Sequence, residues 1–367
     1  PHPDGDRLYI GSYWAGLVDY DFETFTIYDQ SNSMIQGAVG DAARERIAGL
    51  ALDAQNNLWL SNYLAPKPII VRKNDGSWNA FSVPSSTQLG EVVIDQRGYK
   101  WFAVIASSSG VLVFDDAGTI DDLSDDRYVS FNTNNSALPS NDLTTLIMDR
   151  EGDIWVGTEE GPVVFDGALD PFDGGTQGFR IKVELDGLNY LLGDEEVTAI
   201  AVDGANRKWF GTRNGVFVQS ANGEDQIAEF NTSNSPLLND HITDIAIDPT
   251  NGDVYIGTQS GLNQVRTDAV AGGPRHLSSA YAFPNPVRPE YDGPIAIRGL
   301  AEDAAVKITD VSGTLIYETR AFGGQAVWYG KDLDGQRAQS GVYMVFSTTE
   351  SQFDKPDALV TKILFIH

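Results

Sequence analysis

The residues of this chain whose types and spacing could do chemistry are carboxylates and aromatic rings. Asp53, Asp95, Asp149, Asp203 and Asp248 each close a short apolar run, and Trp59, Trp101, Trp155, Trp209 and Tyr255 follow in the same motif. Carboxylates repeated in this way could bind calcium, but calcium needs several oxygens converging on one ion at about 2.4 Å. Recurrence in every unit points instead to side chains that accept backbone N–H groups across the next turn. The run from Asp115 to Asp126 lacks the glycine at place six and the glutamate at place twelve of a calcium loop, so it reads as a solvated loop. His2, His241, His276 and His367 are scattered, and there is no cysteine. No nucleophile elbow, phosphate loop or dinucleotide fingerprint is present. The expectation is a protein that is not an enzyme and holds no metal or cofactor.

The elements that carry these residues repeat. The aromatic position recurs at 9, 59, 101, 155, 209 and 255, with Tyr9 as the first copy. A period of this length built from short strands is the pattern of a β-propeller. The fifth unit parses into an inner strand from 197 to 203, a second carrying Trp209, a third from 216 to 220 and a polar outer one from 226 to 231. The other inner strands fall at 47–53, 90–95, 143–149 and 242–248. The aromatic residues are expected to pack between neighbouring blades. Gly157, Gly211 and Gly257 allow close approach or a bulge, and Thr158, Thr212 and Thr258 bond locally. The first unit lacks an inner strand and the last lacks an outer one. We therefore expect six recognisable units of a seven-bladed ring, and a chain that is the tail of a longer protein.

From residue 279 the period vanishes. Short alternating strands follow at 295–298, 306–310, 315–319, 342–348 and 360–366, punctuated by Gly and Pro, as in an Ig-like β-sandwich. The expected domains are therefore a propeller over 1–278 and a sandwich over 279–367, ordered to His367. The formal charge is −27, and all but −3 of it precedes residue 280. A body this acidic repels phosphate backbones, so nucleic acid is excluded as a partner. No segment is long and apolar enough to span a membrane as a helix.

One departure within the repeat bears on binding. The turns between second and third strands are bland in later units, at Glu159–Glu160, Arg213–Asn214 and Gln259–Ser260. In the first two they carry Tyr13, Trp14 and Tyr63. Exposed aromatic rings stack on sugars and anchor interfaces. These turns lie on one face one blade apart, so the three residues form a candidate ligand or partner contact.

The repeat, an inner strand ending in Asp and followed by Gly-x-x-Trp-x-Gly-Thr-x-x-Gly, resembles the two-component regulator propeller repeat. The tail resembles the C-terminal sorting domain of the type IX secretion system, on Pro284, Asn285 and Pro286, then Trp328, Asp332 and Gly335, then Gly341 and Tyr343, and finally Lys362. The pairing of the two is similar to the PorZ-like proteins of Bacteroidetes. The resemblance implies a non-catalytic component on the outer face of the outer membrane, reached by export through the periplasm. It implies PorU-, PorV- and PorQ-like partners and the presentation of anionic lipopolysaccharide for cargo attachment. The competing reading is an exported cargo propeller that binds or cleaves glycans and uses the tail only as a sorting signal. A hybrid sensor would continue into a membrane helix after the propeller, and the tail argues against it.

Overall fold

The computed structural model describes residues 2, 4–83, 87–105, 110–174, 177–184, 188–349 and 357–366. His367 lies outside the described residues. The chain divides into two compact units, one of residues 1–200 with 211–213, the other of 201–210 with 214–367.

In the first unit, antiparallel meanders follow one another. The first sheet has β1 (Leu8–Gly11), β2 (Leu17–Tyr20) and β3 (Phe25–Tyr28) in sequence order, with no inner strand before β1 among the described residues. The second runs β4 (Ile47–Leu52), β5 (Leu58–Asn62), β6 (Ile69–Arg72), β7 (Trp78–Phe81). The third runs β8 (Leu89–Ile94), β9 (Lys100–Val104), β10 (Val111–Asp115), β11 (Arg127–Phe131). The fourth differs from the expected four strands. It has β12 (Leu143–Met148), β13 (Ile154–Thr158) and β14 (Val163–Phe165), and a separate hairpin of β15 (Lys182–Glu184) and β16 (Leu188–Tyr190). Among the described residues, an isolated bridge from Val164 to Phe179 is all that stands where a fourth strand would pair.

Strands β5, β9 and β13 are buried along their whole length, as strands covered on both faces must be. Inner strands of successive sheets come close. A Cβ on Gly49 of β4 would lie 2.5 Å from the Gly90 carbonyl of β8, so only glycine fits. The bulge expected at the repeat glycine is present, because the β12–β13 register shifts between Leu143 and Thr145, opposite Gly157. Thr158 Oγ1 donates to the Gly161 carbonyl at 2.7 Å and accepts from Glu160 N, which closes the following turn.

The fifth meander, β17 (Val197–Val202), β18 (Lys208–Thr212), β19 (Val216–Gln219) and β20 (Gln226–Phe230), contains the division between the units. The second unit continues with a three-stranded sheet of β21 (Ile242–Ile247), β22 (Asp253–Thr258) and β23 (Gly261–Arg266). The C-terminal strands are β24 (Tyr281–Phe283), β25 (Ile295–Arg298), β26 (Ala305–Thr309), β27 (Leu315–Arg320), β28 (Gln325–Trp328), β29 (Gly341–Thr348) and β30 (Ala358–Phe365). They form two antiparallel sheets, β24-β25-β28 and β27-β26-β29-β30. Ile295, Ile297 and Trp328 from one sheet share a core with Val306, Val345 and Phe365 from the other. Strands β24 and β28 are too short for their alternation to stand out in the sequence.

Candidate functional site

Each aspartate that ends an inner strand is a turn anchor. Asp95 Oδ1 accepts from the backbone of Arg97 and Tyr99, both at 2.9 Å. Its Oδ2 takes the indole N–H of Trp101 at 2.9 Å. The same indole-to-carboxylate bond joins Trp59 to Asp53 at 2.9 Å, Trp155 to Asp149 at 3.1 Å and Trp209 to Asp203 at 3.0 Å. Both oxygens are engaged in Asp53, Asp95, Asp149 and Asp203, so these four acids are structural, while Asp248 accepts from Thr250 through Oδ1. The indoles are buried, at 0, 3, 2 and 4 % exposure for Trp59, Trp101, Trp155 and Trp209. Tyr255 occupies the same register position but is 37 % exposed, contrary to expectation. Trp59, Trp101 and Trp209 stack on Phe81, Phe131 and Phe230 of their own outer strands. The sheet of Tyr255 has no fourth strand to supply such a ring.

The loop after β10 also departs from the solvated reading. Asp115 and Asp116 are each 5 % exposed, Asp115 bridged to Arg127 and Asp116 to Lys100, the latter at 2.6 Å. Asp126 Oδ1 is buried without a partner. Burial, with Asp125 and Asp116 nearby, pushes its carboxyl up to about 6.

Tyr13, Trp14 and Tyr63 come together. Ser12 Oγ accepts from the backbone of Trp14 and Ala15, both at 3.1 Å, and so shapes the β1–β2 turn. The segment from Arg44 to Arg46 runs between this turn and the β5–β6 turn. Gly16 N donates to the Glu45 carbonyl at 3.1 Å, and Tyr63 N to that of Arg46 at 2.7 Å. Tyr13 and Tyr63 are thereby brought to 5.7 Å between ring centroids. Arg44 lies over Trp14 at 3.8 Å and Arg46 over Tyr13 at 5.4 Å. Both guanidinium groups share Asp41, at 3.1 and 3.3 Å. Trp14 is 61 % and Tyr13 45 % exposed. Burial, then Tyr63, pushes the Tyr13 hydroxyl up, while Arg46 opposes them. Two guanidinium groups sharing one carboxylate, with Glu45 between them in sequence, lie beside exposed aromatic rings. This surface can stack on a ring and pair with an anionic group. Sequence reasoning missed Arg44 and Arg46. The available signal was the pair flanking Glu45 just before an inner strand.

The sorting-type residues of the tail form one packing unit. Asn285 Nδ2 donates to the Lys362 carbonyl and its Oδ1 accepts from Leu364 N, both at 2.9 Å, which ties the segment Pro284–Pro286 to β30. The Lys362 side chain itself is exposed. Trp328 is fully buried, and its indole donates to the Lys331 carbonyl at 2.7 Å, beside the turn of Asp332 and Gly335. Tyr343 packs on Trp328 at 5.3 Å, and its hydroxyl donates to the Gln339 carbonyl. Gly341 opens β29.

Two further groupings were not legible in the sequence. His276 Nδ1 lies 2.9 Å from Asp357 Oδ2 and Nε2 lies 2.8 Å from Ser347 Oγ. Ser347 is fully buried, so no substrate carbonyl can reach it, and the trio ties the segment before β24 to β29. Among the described residues, one group has metal-ligand spacing: His2, Asp4 and Asp6, whose ligand atoms lie within 4.8 Å of one another at an exposed turn. Asp4 N donates to its one imidazole nitrogen in range at 3.3 Å.

A family model described as two component regulator propeller matches residues 137–160. No curated protein sequence matches. Among solved structures, the chain is similar over its whole length to PorZ of Porphyromonas gingivalis, with 29 % identity and a TM-score of 0.69, covering 51 % of that chain. PorZ is described as an essential bacterial surface component of the type IX secretion system. The extracellular domains of two putative hybrid two-component systems of B. thetaiotaomicron share the fold. One has 15 % identity, a TM-score of 0.52 and coverage of 98 % of this chain and 48 % of that one. The other has 14 % identity, a TM-score of 0.53 and coverage of 100 % and 49 %. The chain thus spans about half the length of the solved relatives it matches. The chain is similar to PorZ and has a β-propeller fold, in which residues 137–160 match the regulator repeat.

Proposed function

We propose that this chain belongs to a non-catalytic surface component of a type IX secretion and attachment machinery. Its propeller, residues 1–278, presents anionic lipopolysaccharide or docks PorU-, PorV- and PorQ-like partners on the outer face of the outer membrane. Residues 279–367 act as an Ig-like sorting domain. The observation that carries this reading is the unbroken similarity to PorZ through both the repeats and the tail. The surface of Tyr13, Trp14 and Tyr63 is the contact. Arg44 and Arg46 put guanidinium groups beside its rings, where an anionic group of a polysaccharide pairs.

The test is a double variant, Trp14→Ala with Tyr63→Ala, assayed against purified anionic lipopolysaccharide and in pull-downs of the partner proteins. Binding should fall by about tenfold or more, the size expected for losing two aromatic anchors. Wild-type affinity for both, in a variant with an unchanged unfolding midpoint, removes the site. The mature mass of the native surface protein separates this reading from a cargo propeller, because a cargo loses residues 279–367 and a machinery component keeps them.

A further inference from the structure

The second unit holds a cleft of about 520 Å³ floored by the outer face of the sheet β24-β25-β28. Strand alternation builds the floor. Ala282, Ile297 and Ala326 point into the sandwich core, so Tyr281 and Phe283 point out, 51 and 67 % exposed. Tyr329, immediately after β28, is 59 % exposed. The small Ala296 lies between Phe283 and Val327 in register and keeps the floor hollow.

The polar groups at the rim are fixed in place. Arg298 Nε donates to Gln325 Oε1 at 2.6 Å, and Gln325 Nε2 donates to the Asp268 carbonyl at 2.8 Å. Arg266 Nε is held by Asp253 at 2.7 Å while its side chain stays 62 % exposed. Asp268 Oδ1 takes Arg207 at 2.7 Å. Asp268 Oδ2 and the hydroxyls of Tyr281 and Tyr329 have no partner among the described residues.

We propose that this cleft binds a neutral oligosaccharide. Exposed rings on one concave face are the surface on which the C–H faces of sugar rings stack. Arg266 offers donors and Asp268 an acceptor at the same rim, the combination that neighbouring sugar hydroxyls take up together. A polyanion is disfavoured by the net charge of −27 and by the Asp268 carboxylate. A proline-rich peptide would use the rings but leave this donor and acceptor unmatched. The site shares no residue with the surface of Tyr13, Trp14 and Tyr63 and does not depend on its role.

The experiment is calorimetric titration of the full chain with mannohexaose, maltohexaose, xylohexaose and chitohexaose, and with a decaproline peptide. At least one hexasaccharide should bind with a dissociation constant below about 1 mM, and Tyr281→Ala or Tyr329→Ala should each weaken it about tenfold. Phe25→Ala, at an exposed position of β3 outside both surfaces, should leave it unchanged. Tyr281→Phe and Tyr329→Phe, which alter only a hydroxyl, should each weaken it severalfold and serve if an alanine variant fails to fold. The proposal is overturned if no hexasaccharide binds at millimolar concentration. It is equally overturned if binding survives these changes, or if decaproline alone binds the cleft.

Discussion

The second to fifth repeat sheets and the sixth carry the same motif but put it to different use. In the former, one aspartate joins the turn backbone to a buried indole, and in three of the four that indole stacks on a phenylalanine of its own outer strand. In the sixth, the turn is one residue longer, Asp248 accepts from Thr250 N and its hydroxyl rather than from an indole, and Tyr255 stays partly in solvent. The rings differ in cover as well as in anchoring: Trp59 and Trp101 also meet Phe114 and Phe165 of the next sheet, and Trp155 is buried without a fourth strand in its own among the described residues. The sandwich uses the turn alone. Asp310 and Asp332 each accept the second and fourth following N–H groups, just as Asp95 does, with no indole attached.

The largest test of this contrast is truncation of the ring. Trp101→Ala removes a buried indole and should cost about 3–5 kcal/mol, read as a lowered urea midpoint. Tyr255→Ala should cost less than about 0.5 kcal/mol. Equal losses at the two positions would mean that the difference in burial between the two rings carries no stability. Next comes the anchor. Asp95→Ala leaves two backbone donors and an indole N–H without their acceptor and should cost about 1–3 kcal/mol. Asp248→Ala should cost less, because no indole depends on it.

The smallest effect concerns a carboxylate with no anchoring role. Asp126 has a folded value near 6, raised by burial and by Asp125 and Asp116. For an acid raised on folding, its contribution is fully favourable below the unfolded value near 3.8 and is lost as pH rises through about 6. Asp126→Asn should therefore raise the thermal midpoint at pH 7.5 and leave it unchanged at pH 3.5. The turn carboxylate Asp248 is held low by Thr250 and should show the opposite trend. Its contribution is present at neutral pH and lost as pH falls through its depressed value. A flat pH profile for Asp126→Asn would place that side chain in water.

Much of this was legible beforehand. The inner strands ending in Asp, the buried tryptophans and the incomplete first and last sheets follow from periodicity and strand burial. The indole-to-carboxylate bond was in principle readable too, since Asp53 and Trp59, Asp95 and Trp101, Asp149 and Trp155, and Asp203 and Trp209 share one spacing. Exposure of Tyr255 was not readable from the motif, because burial depends on what packs against a ring and not on its register position. The meeting of Tyr13 with Tyr63 was legible from turn geometry. The guanidinium groups over Trp14 and Tyr13 were not, because a connecting segment brings them there rather than the repeat itself.

The repeated aspartate also bears on the order in which the chain assembles. Each anchor captures groups two to six residues ahead of it, so the hairpin it initiates closes a very short loop and loses little chain entropy. Four such hairpins, β4–β5, β8–β9, β12–β13 and β17–β18, can start independently as each leaves the ribosome, before any distant strand exists. Docking of outer strands and neighbouring sheets then follows as the slower step, since those contacts span far more sequence. Folding of this protein should accordingly proceed from many local seeds rather than from one nucleus.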